Sequence, residues 1–255
     1  MVTMLRRPWN LVPIRDSEEE LEAIPDSLYC LRPHPYASLG APYGSSASPF
    51  RLRKRVIERL LQAQEALRQG GYPWKLAIFD GWRPLAVQAF MVDYTIQEQC
   101  RLRGVDPGSP SAERDLVVED VSRFWATPEQ DPGSPPPHST GAAVDLTLVD
   151  KPEHDTAGLP MPTPADMGSP IDAIGAVSEP DHFLTRSLTD VDASERERCR
   201  HIHARRSCLR RAMEAAGFAQ HPNEWWHFSW GDQLWAWQRG EFSALYGRVD
   251  GAAKP

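Results

Sequence analysis

The sequence predicts an α+β fold, and three observations carry the prediction. Helical and extended patterns are mixed along the 255 residues without the regular βαβ alternation of a parallel sheet, and no segment repeats. Hydrophobic residues make up 41% of the chain and charged residues 25%, enough apolar side chain for a core beneath a soluble surface. The length suits one domain over residues 1–255.

Residues 1–50 are rich in Pro, Gly and Ser, as in R-P-H-P-Y-A-S-L-G-A-P-Y-G-S-S-A-S-P-F, and are expected to form an extended arm packed over the core. From 50 to 70 the pattern turns helical. Leu52, Val56, Leu60, Ala63 and Leu67 recur at steps of three and four, and Gly70-Gly71 stops the run. K-L-A-I-F-D (75–80) reads as a buried strand ending in the turn Gly81-Trp82-Arg83, and Pro84 suits the first turn of a second helix running to Arg103. A third helix is expected over 112–125, with Leu116, Val117, Val121 and Phe124 on one face. T-P-E-Q-D-P-G-S-P-P-P (127–137) is a proline-stiffened loop, and G-A-A-V-D-L-T-L-V (141–149) is a strand by composition and alternation. Residues 150–190, dense in Pro, Asp and Gly, form a long irregular segment of the kind that more often carries function than not. A charged helix over 193–216 closes with Gly217, and 225–230 is the last strand.

The net charge of −7 sets aside a nucleic-acid partner, whose phosphates call for clustered Lys and Arg. The basic run R-L-R-K-R (51–55) is short and reads as a solvated helix face. Cys30, Cys100, Cys199 and Cys208 show no C-x-x-C spacing, which excludes a Cys-rich zinc site and gives no disulfide framework. The N-terminus M-V-T-M-L-R-R-P-W-N lacks an apolar stretch of signal-peptide length, and no run is long enough to span a bilayer. A cytoplasmic location with no membrane partner is therefore expected, and a homo-oligomer stays open.

Reactive side chains gather in three segments. In H-S-T-G-A-A-V-D (138–145), a strand starting near Ala142 turns Val144, Leu146 and Leu148 to the core and Ala143, Asp145 and Thr147 the other way. Asp145 is then a carboxylate on an otherwise apolar strand, costly to bury without a cation or a metal. Gly141 would let the chain turn back so that His138 meets it. Taken alone, the pair is better explained by a loop cap at His138 and an arginine partner for Asp145.

The second segment, E-W-W-H (224–227), lies in N-E-W-W-H-F-S-W-G-D-Q-L-W-A-W (223–237), which holds five of the nine tryptophans. On a strand, positions three apart point to opposite faces, so Glu224 must sit at the bend after Pro222-Asn223 to share the side of His227. His138, Asp145 and His227 then supply two nitrogens and one oxygen, a three-ligand set with an open fourth position as a catalytic zinc ion requires. Glu224 would be the base beside the metal's water, with the indoles as a dry wall that holds the ligands in place. In the third segment, F-D-G-W-R-P (79–84), Arg83 leaves a strand-to-helix turn of the kind that faces a cleft. Its charge would hold a developing oxyanion while Asp80 steadies the turn, and a surface arginine paired with one of the 35 acids is the plainer alternative.

Together, D-G-W-R-P (80–84), H-S-T-G-A-A-V-D-L-T-L (138–148) and E-W-W-H (224–227) resemble the zinc D-alanyl-D-alanine dipeptidases of the VanX type. These belong to a wider group that also contains D,D-carboxypeptidases and the hedgehog signalling domain. D-M-G-S-P-I-D (166–172) resembles the M-G-x-x-F-D segment of the dipeptidases, and the likeness runs from about Tyr29 to Trp230. It implies a central, mainly antiparallel sheet packed by helices and one zinc ion per chain held by His138, Asp145 and His227. It further implies Glu224 as catalytic base, Arg83 as the transition-state arginine, Asp172 as the acid that receives the free amino group of a small dipeptide, and hydrolysis of D-Ala-D-Ala. A D,D-carboxypeptidase of the same group, or a zinc-bearing binding module without turnover, is the alternative. Two positions depart from the pattern: Pro136 stands where family members often have a serine that contacts substrate, and Ile171 stands in place of Phe. The other histidines, His34, His154, His182, His201, His203 and His221, lack partners at ligand spacing, and His201 and His203 read as solvated.

Overall fold

The computed structural model describes residues 7–44, 48–126, 128, 131–150, 162–190 and 192–250. In chain order its strands are Leu21–Ala23 (β1), Tyr29–Cys30 (β2), Arg51–Arg53 (β3), Trp74–Asp80 (β4), Ala143–Asp150 (β5), Ala219–Gln220 (β6) and His227–Ser229 (β7). The helices are Pro35–Ser38 (α1), Lys54–Gln69 (α2), Leu85–Arg103 (α3), Ala112–Ser122 (α4), His182–Thr189 (α5), Ala193–Ala215 (α6) and Gln233–Arg239 (α7). None of the described helices is long and apolar enough to cross a membrane.

Five strands form one sheet in the order β2-β4-β5-β7-β6, and every pairing except β2–β4 is antiparallel. This is the α+β arrangement read from the sequence. β5 is its middle strand. Val144, Leu146 and Leu148 enter the main core with Leu76 and Ile78 of β4 and Phe228 of β7, and each buried leucine contributes about 1.5–3 kcal/mol. Ala143, Asp145 and Thr147 are buried too, so the strand is covered on both faces, as its nearly continuous apolar run requires. α2 lays Val56, Leu60, Ala63 and Leu67 on this core, and α6 adds Leu209, Ala212 and Met213.

Several expected boundaries move. Residues 51–53 pair with β1 as a strand instead of opening the helix. The run R-L-R-K-R is consequently not a solvated helix face: Arg53 is buried, donating to the carbonyls of Thr140 and Gly247. The arm is more than an extended cover, since β2 forms the edge of the main sheet. α4 ends at Ser122, and Leu116 is 61% exposed while Val117, Val118 and Val121 are buried. Leu116 lies about 100° around the helix from Val117, enough to carry it off the covered stripe. Residues 162–190 hold α5 and a 3-10 turn at Ala176–Ser178 where irregular chain was expected. α7 follows the last expected strand; Asp232 caps it by accepting from the Trp235 N–H at 2.9 Å. Residues 151–161, including His154, lie outside the described residues, as do 127, 129 and 130 of the proline-rich loop.

The segment that carries Asp172 is tied down by Arg206 of α6. Its Nε donates to Met167 O at 2.8 Å, its Nη1 to Glu179 O at 2.8 Å, and its Nη2 to Val177 O at 2.8 Å and Ser169 Oγ at 3.1 Å. The guanidinium lies over the rings of Phe183 and Trp225 at 4.8 and 5.1 Å. Burial lowers its pKa to about 9, with Asp166 opposing. Four oxygens gathered on one cation fix the path of residues 167–179 far better than the sparse regular structure there would.

Candidate active site

Cross-strand register builds the centre of the site. Asp80 of β4 pairs with Asp145 of β5, and Asp145 pairs with His227 of β7, so three polar residues stand in one row across the sheet. A register shift between Ile78 and Asp80 brings the end of β4 into this row. His138 comes from the 3-10 turn Pro137–Thr140, and Gly141 at φ 71° reverses the chain into β5. A Cβ at Gly141 would meet Leu21 Cδ2 at 2.2 Å, so this close turn needs glycine.

Donor atoms of three residues converge as a result, one from each lying within 4.8 Å of the others. His138 Nε2 is 3.1 Å from Asp145 Oδ2, His227 Nδ1 is 3.1 Å from Asp145 Oδ1, and the two ring nitrogens are 3.2 Å apart. A tetrahedral zinc ion with bonds near 2.0–2.1 Å needs ligand atoms about 3.3 Å apart, so this donor set fits such an ion. His138 Nδ1 donates to Gly81 O at 2.7 Å, which leaves the Nε2 lone pair aimed at the shared point. His227 Nε2 lies 3.3 Å from Ser229 Oγ. Burial opposes ionisation of Asp145, but the facing His138 and His227 hold its carboxyl well below the usual range.

Glu224 occupies the bend after Pro222-Asn223, with Oε2 3.7 Å from His227 Nδ1, on the same side as the three donors. Its own N–H donates to His221 O at 3.3 Å, and the Trp225 N–H donates to Ser178 O at 2.9 Å. Burial pushes the Glu224 carboxyl up to about 8, against the pull of His227. Arg83 is buried between Tyr36 and Trp125, 5.0 Å from each ring. Its Nε and Nη2 both donate to Asp80 Oδ2, at 2.9 and 2.7 Å, Nη2 also reaches Asp145 Oδ2 at 3.3 Å, and Nη1 donates to Gln88 Oε1 at 2.9 Å. Of the five N–H groups of a guanidinium, one on Nη1 is left over. Asp172, at φ 65°, accepts from Tyr36 OH at 2.7 Å on Oδ2. Burial, and then the charge of Asp145, pushes its carboxyl up to about 7.

All six residues singled out in the sequence, His138, Asp145, His227, Glu224, Arg83 and Asp172, line one cavity of about 70 Å³. Several residues around these six were missed, His34, His221, Arg7 and Trp9 among them. His34 and His221, expected to lack partners, are both buried. His34 Nε2 lies 3.0 Å from Asp80 Oδ1, beside the Tyr43 hydroxyl that donates to the same oxygen at 3.2 Å. His221 Nδ1 stands 3.7 Å from Glu224 Oε1, and burial holds its pKa well below the usual imidazole value. Its signal was the H-P-N-E spacing, which returns an imidazole to the glutamate across a turn. Arg7 and Trp9 enter the cavity wall from the arm. The tryptophan cluster is less of a wall than expected. Of its five members only Trp226 lines the cavity, joined by Trp9 and Trp125 from elsewhere in the chain, while Trp237 is 46% exposed. His201 is exposed beside Glu197, whereas His203 is half-buried against Ser207, not solvated.

An α+β domain with this donor set, an acid beside it and a small cavity around both is of the metallopeptidase class. The sequence pattern of the D-Ala-D-Ala dipeptidases, peptidase family M15, matches residues 30–244, and the chain belongs to that family. A D-alanyl-D-alanine dipeptidase from Synechocystis sp. is 40% identical over 252 residues, 96% of this chain and 97% of its own. Another, from Enterococcus faecium, is 30% identical over 174 residues, 68% of this chain and 69% of its own. Among solved structures, a vancomycin-resistance D,D-pentapeptidase VanY mutant in complex with Zn(II) aligns over 91% of this chain and 96% of that one, with 15% identity and a TM-score of 0.40.

Proposed function

We propose that this enzyme hydrolyses D-alanyl-D-alanine and that His138, Asp145 and His227 hold a zinc ion for the purpose. The observation that carries the reading is the convergence of His138 Nε2, His227 Nδ1 and the Asp145 carboxylate at 3.1–3.2 Å from one another, with Glu224 beside them. When bound there, zinc supplies a Lewis acid for the scissile carbonyl and makes an attacking water more acidic.

The chain's own residues do the rest. Glu224 takes a proton from the attacking water on a carboxylate oxygen and passes it to the leaving nitrogen. Burial raises the proton affinity of this carboxyl, so in its ionised form it takes the water's proton more readily than an exposed glutamate would. Arg83 keeps Asp145 in place through Nη2 and offers its remaining Nη1 N–H to the developing oxyanion. Asp172 receives the free ammonium: Tyr36 occupies Oδ2 and leaves Oδ1, and an arriving cation favours the ionised form of a carboxyl raised to about 7. The reaction belongs in the cytoplasm; Cys30, Cys100, Cys199 and Cys208 are all free thiols, as suits a reducing compartment.

The test is a comparison of D-Ala-D-Ala with its N-acetylated analogue. The free dipeptide is expected to be the better substrate. Asp172→Asn should raise KM for it by at least about tenfold and leave turnover of the acetylated analogue unchanged, because a charge-assisted contact to the ammonium is what the substitution removes. Preference for the acetylated substrate would instead identify a D,D-carboxypeptidase.

A further inference from the structure

The dipeptide carries a second charge that none of the six residues above accounts for, its C-terminal carboxylate. The cavity wall at Pro135, Pro136 and Pro137 offers neither an N–H nor a hydroxyl to meet it. The hydroxyl of Ser134, next to this wall, accepts from Asn10 Nδ2 and has a single neutral O–H to offer, not a charge. Of the two arginines that line the cavity, Arg83 is committed to Asp80, Asp145 and Gln88.

Arg7 is in a different position. Among the described residues its one side-chain hydrogen bond runs from Nη2 to Ser122 O at 2.7 Å, and no carboxylate of those residues lies within ion-pair distance of it. Burial lowers its pKa while the charge of Glu224 pulls it back up, so the guanidinium is a partly desolvated cation facing the base. Asp172 is held against Tyr36 in the cavity wall, whereas Arg7 lines the cavity together with Trp9, whose ring packs edge-on against His221 at 5.6 Å, and His221 Nδ1 stands 3.7 Å from Glu224 Oε1.

This polarity matches the substrate. The ammonium belongs to the acyl half of the dipeptide. The carboxylate belongs to the leaving half, one carbon beyond the nitrogen that Glu224 must protonate. A substrate whose ammonium reaches Asp172 and whose leaving nitrogen reaches Glu224 carries its carboxylate on past Glu224, toward Arg7.

We propose that Arg7, from the N-terminal arm, binds the C-terminal carboxylate of the dipeptide and so takes over a contact that the proline wall cannot make. A guanidinium at that point selects a free C-terminus, as Asp172 selects a free N-terminus, and the two together restrict the substrate to a dipeptide. The proposal rests on the dipeptidase reading.

The experiment measures kcat and KM for D-Ala-D-Ala and for its C-terminal amide with the wild-type protein, Arg7→Gln and Arg7→Lys, each checked for an unchanged thermal melt. The wild-type enzyme is expected to prefer the free acid by about 50-fold in kcat/KM, the size of a charge-assisted contact. Arg7→Gln should raise KM for the acid by about tenfold or more, leave kcat within about threefold, and erase the preference over the amide, with Arg7→Lys recovering part of it. Arg7→Gln that keeps the acid preference, or that loses both substrates equally, overturns the proposal while the dipeptidase reading stands. If the wild-type protein turns over neither substrate, that reading falls and takes the proposal with it.

Discussion

Glu224→Gln is expected to slow hydrolysis of D-Ala-D-Ala by about 10³-fold or more while zinc content and thermal stability stay at the wild-type level. The amide has the shape of the carboxylate but cannot accept the water's proton, and loss of a positioned general base costs about 10²–10⁴-fold. The substitution also removes a buried group whose ionisation is resisted by its surroundings, so the folded state has little to lose. Because Glu224 stands 3.7 Å from His227 Nδ1 and is not one of the three converging donors, the metal should remain. The measurement is D-alanine release alongside elemental analysis of the same sample. A variant that retains full turnover would rule Glu224 out as the base. One that loses zinc would make it a ligand.

His138→Ala should fail in the opposite way, with zinc lost first and activity lost as a consequence. His138 Nε2 is one of the three donors, and the Nδ1 bond to Gly81 O fixes the ring that presents it. Even removing an outer partner of a metal ligand costs about 10–100-fold in affinity, so loss of the ligand itself should exceed about 10². Dialysis against a zinc buffer followed by elemental analysis reads this directly: near one zinc per chain for the wild-type protein and near none for the variant. Asp145 keeps Arg83 and His227 as partners in that variant, which protects it from becoming an unpaired buried charge.

Much of this site was legible in the sequence because its parts sit on strongly patterned elements. The alternation in A-A-V-D-L-T-L-V puts Asp145 opposite the core residues Val144 and Leu146, and one strand pairing then delivers it to His227. The bend at Pro222-Asn223 is written in the residues themselves, so Glu224 had to leave the strand. What stayed hidden depends on tertiary contacts that no local pattern encodes. β2 is two residues long and owes its existence to pairing with Ala77 and Ile78. His34 gives no sign that it will meet Asp80 forty-six positions later. Arg206 reads as one more charge on a charged helix, although four oxygens from residues 167–179 surround it. The tryptophans misled for a related reason: aromatic density marks burial, and Trp225 and Trp230 are buried against Arg206, Arg59 and Tyr246 and not against the cavity. Arg7 lies in a proline-rich arm whose composition carries no hint of a charged contact at the centre.

The most direct test follows D-alanine release from D-Ala-D-Ala as zinc is returned to the chelator-stripped protein. The rate should start near zero, rise in proportion to added zinc and level off at one equivalent per chain, the occupancy expected of His138, Asp145 and His227. Full activity in the presence of chelator, or no release at any zinc level, would contradict the assignment of these three residues as the metal centre of a dipeptidase.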